Sequence, residues 1–404
     1  MSPIELLDVD LDAPGPWPPT TQRWDGCRAI LRRNGVPVGT ALVIGERPSG
    51  LDDLLRSARL RTHPLPPPAA TPVPITVAIC TKDRPTLLAT CLASVAEAIR
   101  AAGTEVDAEI VVVDNASASD ETRRVAEGAG AVCIRESVPG LDVARNRAVA
   151  AASKDVVAFV DDDVVVDQLW LRTLARTFAA NPDAHAVAGG VRAFRLDTPA
   201  RVDFERSGGF TPQWEPARLV VDGTDDLPFR TGIAAGCNMA FRVPSLERAG
   251  AFDEALDTGR PMPGGGDLDM VIRMLMQGPV VYEPAAVVFH DHRADWKSLR
   301  YQYYSWGKGW GAVLATWYRR APEHRRRIRG VGRSVARDYA TLLVRGPRHT
   351  YSYRRSHTAL MAGGFLVGVC GSYQRSQRRM QRRRAAIGPS HADPAAVTAG
   401  GEPC

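Results

Sequence analysis

Between residues 75 and 163, short apolar runs alternate with stretches of helical periodicity, and this alternation restricts the fold more than any other feature of the chain. "ITVAIC" (75–80), "EIVVVD" (109–114), "AVCIRE" (131–136) and "VVAFVDDD" (156–163) read as buried strands. Between them, "RPTLLATCLASVAEAIR" (84–100) reads as a helix with proline in its first turn, "SDETRRVAEG" (119–128) as a capped helix ended by glycine, and "GLDVARNRAVAAA" (140–152) as a third helix. Strands that are apolar throughout are covered on both faces, so the pattern predicts an α/β fold with a mainly parallel sheet flanked by helices. Ligands of such sheets bind beyond the carboxyl ends of the strands.

Three polar clusters fall at those ends: "TKDR" (81–84), "DNAS" (114–117) and "DDD" (161–163). Taken singly, Asp83 or Asp120 could cap a helix and Asp114-Asn115 could form a turn; at corresponding ends of three strands they define one crevice. Adjacent carboxylates repel, so Asp161, Asp162 and Asp163 need a positive partner. Oxygen ligands on a short Asp-x-Asp suit a hard divalent cation, Mg²⁺ or Mn²⁺, which in turn favours a diphosphate as the remaining ligand. The alternative is that Asp161 or Asp163 turns away to cap the next helix. No Gly-x-Gly-x-x-Gly follows the first strand and no Gly-x-x-x-x-Gly-Lys-Ser/Thr occurs, which disfavours a dinucleotide fold and a P-loop.

The ordered set "VAICTKDRPTLLATCLASV", "IVVVDNAS", "VARNRAV", "FVDDDV", "GCNMAFR", "GGGDLDMVIRML" and "FHDHR" resembles the inverting family 2 nucleotide-sugar glycosyltransferases with their GT-A fold, over roughly residues 74–315. The resemblance implies that Thr81, Asp83, Arg84 and Asp114 line the nucleotide pocket, with Arg145-Asn146 close by. It implies that Asp161 and Asp162 face the ribose, that Asp163 binds the metal and that His290 completes the metal site. It also implies that Cys237 and Asn238 border the acceptor and that the acidic motif near 267 supplies the catalytic base. Asp267 is the candidate, and Asp269 is the alternative on the acceptor side; for Asp267 a plain helix N-cap is the rival role. Two departures stand out: Gly266 replaces the family's usual glutamate, and Arg242-Val243 replaces Arg-Arg.

The ends of the chain carry a different message. Residues 318–384 hold 18 Arg, no Lys and two acidic residues, a charge of +16 that leaves −10 for the rest of a chain whose net charge is +6. Such a segment predicts an anionic partner. An anionic membrane surface is the expected one, and nucleic acid is disfavoured because no nucleic-acid fold accompanies the charge. From Trp296 to Trp317, apolar residues recur in steps of three and four, giving a helix face that either packs on the catalytic domain or lies at a membrane interface. "TALMAGGFLVGVCGSY" (358–373) is too short to span a bilayer. The seven scattered cysteines and an acidic N-terminus without a signal-peptide pattern predict a cytoplasmic protein, peripheral at the membrane's inner face.

Four segments follow: a small β-rich N-terminal module (1–60) with a hairpin at Asn34-Gly35, a proline-rich linker (61–74), the glycosyltransferase domain (75–318) and a basic helical C-terminal segment (319–404). The expected activity is metal-dependent, inverting transfer of a sugar from a nucleotide diphosphate sugar to the hydroxyl of a glycan or lipid-linked acceptor. A nucleotide-binding scaffold without turnover is the alternative suggested by Gly266, and a nucleic-acid-associated protein the one suggested by the basic tail.

Overall fold

The computed structural model describes residues 4–15, 26–45, 48–60, 64–210, 219–221, 233–259, 262–346 and 353–387. The chain opens with β1 (Glu5–Asp10), β2 (Gly26–Arg33), β3 (Val36–Ile44), α1 (Leu51–Arg56) and β4 (Ala58–Leu60), a four-stranded sheet in the order β1-β2-β3-β4. Asn34 and Gly35, at φ 49° and 74°, make the tight turn between β2 and β3; both left-handed values suit the twist of a two-residue hairpin.

The central body follows as β5 (Val73–Thr81), α2 (Pro85–Ala102), β6 (Val106–Asn115), α3 (Glu121–Gly128), β7 (Val132–Glu136), α4 (Leu141–Ala151) and β8 (Val156–Asp161). Next come β9 (Val164–Val166), α5 (Trp170–Ala180), β10 (Ala186–Ala193), α6 (Pro199–Arg206), β11 (Leu219–Val221), β12 (Asn238–Arg242), α7 (Val243–Ala249), α8 (Gly266–Gln277) and β13 (Val280–His290). The sheet runs β11-β13-β10-β12-β8-β5-β6-β7, with β9 pairing β13. Strands β7, β6, β5 and β8 are mutually parallel, as the apolar runs predict; β12 is antiparallel between β8 and β10, and β10 is again parallel to β13. Helices α2 and α5 cover one face of this sheet, and α4 and α8 the other. α2 has the length and apolar composition of a membrane span, yet Leu88, Cys91, Leu92, Val95 and Ala98 are all buried in the core.

The C-terminal region is helical: α9 (Trp296–Arg320), α10 (Arg325–Arg345), α11 (Arg355–Val367) and, beyond a kink at Gly368–Ser372, α12 (Tyr373–Ile387). The apolar stripe of α9 faces inward, with Leu299, Tyr303 and Val313 fully buried and only Trp296 exposed among its aromatic residues. α11 lies parallel to α9 with backbone nearly touching backbone. A Cβ on Gly307 or Gly311 would run into the carbonyls of Met361 and Phe365, and one on Gly364 or Gly368 into those of Tyr304 and Lys308. The apolar stretch at 358–373 thus uses Gly364 and Gly368 to pack on α9, while Leu366, Val367 and Val369 remain exposed. In an exposed helix, Gly→Ala gains about 1 kcal/mol. Here Gly364→Ala is expected to destabilise, by roughly 1–3 kcal/mol as overpacking does, read as a lower urea midpoint at unchanged m-value; a gain in stability would contradict this packing.

Candidate active site

The parallel strands deliver their polar ends to one crevice, and the contacts there sort residues that face it from residues that build its walls. Asp162 belongs to the walls. Thr81 Oγ1 donates to its Oδ2 at 2.7 Å and Arg84 Nη1 to its Oδ1 at 3.0 Å. Asp83, at φ 54°, ties two loops together: its N–H donates to Ser117 Oγ at 2.9 Å and its Oδ1 accepts from Ala118 N at 2.6 Å. Asp114 accepts from Ser117 N at 3.1 Å and pairs with Arg135, whose other nitrogen donates to Ser117 O at 2.5 Å. Arg135 is half exposed in this pocket. The sequence reading did not single it out, since a lone arginine at the end of β7 looks like any surface charge.

Asp161 and Asp163 face a common space with His290, which ends β13. Asp163 Oδ1 lies 3.3 Å from His290 Nε2, and its Oδ2 lies 3.5 Å from both Arg84 Nη1 and Arg293 Nη1. Ligand atoms of Asp161, Cys237 and His290 lie within 4.8 Å of one another, the spacing of groups able to share a cation. Burial, and then the neighbouring Asp163, push the Asp161 carboxyl up to about 7. Burial pushes His290 down to about 3 against the pull of Asp163, leaving a neutral imidazole. Burial also raises the Cys237 thiol well above its ordinary value, so Cys237 lines the site as a protonated thiol. Two carboxylates and a neutral imidazole fit a divalent cation, and Arg293, three residues after His290, is a second cation at this edge.

Asp267 sits in the first turn of α8 and not at its cap, which is Gly265. Its Oδ2 accepts from Gly236 N at 3.0 Å, placing it one residue along the chain from Cys237 and hence beside the Asp161–His290 cluster. A Cβ on Gly236 would meet Arg145 and Asp267, so glycine there admits this contact. The missing side chain at 266 also has an occupant. A Cβ on Gly266 would collide with the carboxylate of Asp142, which is fully buried; Oδ2 of Asp142 has no hydrogen-bond partner among the described residues. Burial, and then Asp257, hold the Asp142 carboxyl well above the usual range, against Arg145.

Three further residues expected to face donor or acceptor are built into the walls. Arg145 is buried, donating to Asp142 Oδ1 at 2.9 Å and lying 3.4 Å from Asp257 Oδ2. The Asn238 amide donates to Gly190 O and Ala286 O and accepts from Trp170 Nε1 at 2.9 Å, tying β12 to β10, β13 and α5. Asp269 is buried, accepting from Trp317 Nε1 at 2.8 Å and from Arg273 Nη2 at 2.5 Å. Both Asn238 and Asp269 therefore bind structure where an acceptor role was expected.

That geometry can be set beside known proteins. Residues 76–250 match the family model for glycosyl transferase family 2. A pre-mycofactocin glycosyltransferase of Mycobacterium tuberculosis is 31% identical over 162 residues, 39% of this chain and 32% of its own length. The succinoglycan biosynthesis protein ExoM of Rhizobium meliloti is 29% identical over 209 residues, 47% of this chain and 62% of its own. The chain thus spans less than two thirds of either relative. The solved mannosyltransferase PcManGT from Pyrobaculum calidifontis, in complex with GDP-Man and Mn2+, aligns at 18% identity and a TM-score of 0.48, over 83% of this chain and 90% of that one.

The raised Asp161 carboxyl sets a pH dependence. Its folded value of about 7 lies above the unfolded value, so in the metal-free chain it binds a proton more tightly when folded, and its contribution to stability falls as pH rises toward 7. A cation sharing the site must displace that proton below pH 7 and none above it. The rise in melting temperature caused by Mn²⁺ is therefore expected to shrink as pH falls from 8 to 6, and Asp161→Asn to remove the trend. An Mn²⁺ effect independent of pH would contradict a shared site.

Proposed function

We propose that this chain transfers a sugar, with inversion, from a nucleotide diphosphate sugar to an acceptor hydroxyl, and that it uses a divalent cation. The observation that supports the reading best is the meeting of two chemistries in one crevice: Asp161, Asp163 and His290 on one side, and Asp267, held by Gly236, next to them. Asp163 and His290 would hold the ion together with Asp161, and an imidazole among the donors favours Mn²⁺ over Mg²⁺. When bound, the cation supplies charge stabilisation to the departing diphosphate. Arg84 and Arg293, partly exposed beside Asp163, would bind the remaining phosphate charge, and Asp114 with Arg135 would hold the base. Asp267 would accept the proton of the attacking hydroxyl at a carboxylate oxygen. Asp142, filling the space beside Gly266, places a carboxyl group where the glutamate is missing, which supports a working enzyme over a scaffold.

Asp163→Ala should abolish the cation-dependent part of donor affinity, measured calorimetrically, with the melting temperature of the metal-free chain preserved; unchanged cation-dependent affinity would remove Asp163 as a ligand. Asp267→Asn should keep donor affinity and lose roughly 10²–10⁴-fold in turnover. Near-normal turnover would leave Asp267 a structural residue of α8.

For the acceptor we propose a glycan or lipid-linked substrate met at an anionic membrane surface. Support comes from the exposed apolar residues Leu366, Val367 and Val369 at the α11–α12 kink, followed on α12 by exposed Arg375, Arg378 and Arg379. Deleting residues 319–404 would be a poor test, because Ile328, Val331, Val335 and Tyr373 share a buried cluster with α8 and α9. Reversing charge with Arg378→Glu and Arg379→Glu is the cleaner one: sedimentation with vesicles of anionic phospholipid is expected to fall, and undiminished sedimentation would discard the membrane reading.

A further inference from the structure

We infer that α12, the basic C-terminal helix, positions the candidate base: its inner face holds the 252–258 loop against α4, and the loop in turn sets the start of α8 and Asp267. The inference rests on Asp267 being the proton acceptor of the reaction. Tyr373, Ser376, Met380 and Arg383 recur along α12 in steps of three and four and so share one face. Each of them meets the loop or the segment around the start of α4. Tyr373 Oη donates to Asp253 Oδ2 at 2.6 Å, and the hydroxyls of Ser376 and Thr258, both buried, lie 2.9 Å apart. Met380 packs with Val138 and Val143, and Arg383 Nη1 donates to Pro139 O at 2.6 Å and to Thr258 O at 3.4 Å. Arg384, beside that face, donates to Glu254 Oε2 at 2.8 Å.

On its other side the loop is bound by α4. The Asn146 amide accepts from Phe252 N at 2.7 Å and donates to Phe252 O at 3.0 Å, and Leu141 N donates to Asp257 O at 3.1 Å. Between the two helices Asp257 stands at φ 48°, a left-handed backbone that a non-glycine residue keeps where its surroundings hold it. That backbone aims the carboxylate at α8: Oδ2 accepts from Gly266 N at 2.8 Å and lies 3.4 Å from Arg145 Nη1. Gly266 is the first residue of α8 and Asp267 the next, with Oδ2 of Asp267 accepting from Gly236 N at 3.0 Å. A shift of the loop therefore moves the first turn of α8 and the carboxylate it carries. The charge pattern of α12 separates this role from surface binding: Arg375, Arg378, Arg379 and Arg382 are exposed, while Arg383 turns inward.

The test is amide hydrogen exchange of the ¹⁵N-labelled full chain, without metal, read residue by residue by NMR. Arg383→Met keeps the aliphatic stem and removes both donated bonds; Ser376→Ala removes the hydroxyl that meets Thr258. In each, exchange of the Gly266 and Gly236 amides should quicken about 10-fold, as the loss of a buried hydrogen bond predicts. The Val166 amide, bonded to Ser94 Oγ on the opposite face of the sheet, should keep its rate. Arg383→Lys should restore slow exchange, and Arg382→Met, which removes the same charge from the outer face, should leave every rate unchanged. Should Arg383→Met not fold, Ser376→Ala carries the same comparison. Unchanged exchange at Gly266 and Gly236 in a folded variant would overturn the inference, because α12 would then merely cover the loop. Equal quickening at Val166 would overturn it too, because α12 would then stabilise the fold as a whole. The role of Asp267 as base is judged separately by the turnover of Asp267→Asn, so either reading can fail alone.

Discussion

Two carboxylates that cannot both be comfortably ionised, Asp161 and Asp163, organise the centre of this protein. They stand together because β8 ends between β5 and β12 at the mouth of a sheet buried on both faces. Water is too scarce there to screen them, which is why the Asp161 carboxyl rises to about 7. Much of the surrounding structure can be understood as compensation. Arg84 and Arg293 approach Asp163 from two sides, Thr81 and Arg84 satisfy Asp162, and His290 presents a neutral ring. A divalent cation would complete this set, and a sugar-nucleotide diphosphate is the ligand it would bring.

The second acidic centre is separate in sequence and adjacent in space. Asp142 and Asp257 pair with Arg145, Asp267 acts on it electrostatically, and Asp257 Oδ2 accepts from Gly266 N at 2.8 Å. This network fixes the start of α8 and with it the angle at which Asp267 meets Gly236. A single buried arginine thereby pairs with Asp142 and Asp257 and feels the charge of Asp267.

Local chemistry was legible in the sequence. Continuous apolar runs named the parallel strands, their polar ends named the crevice, and three adjacent aspartates asked for a cation. What the sequence hid are contacts whose partners are far apart in the chain. Nothing local reveals that Asn238 bonds Trp170 or that Asp269 accepts from Trp317, and without those partners both look like substrate groups. Arg28 and Glu205, 3.7 Å apart, are equally distant in the chain, so the tie between the N-terminal sheet and α6 could not be read. The glycines of α9 and α11 show how one pattern permits two outcomes: spacings of four allow close helix packing in water as they do in lipid, and only the partner helix decides.

The central claim is that the carboxylates at the end of β8 and the imidazole at the end of β13 hold one cation between them. Crystals grown with Mn²⁺ and a nucleoside diphosphate, measured for anomalous scattering at the manganese edge, test it directly. A single strong peak between Asp161, Asp163 and His290, in contact with the diphosphate, is the expected result. A peak elsewhere on the chain, or a bound diphosphate with no metal at that position, would contradict it.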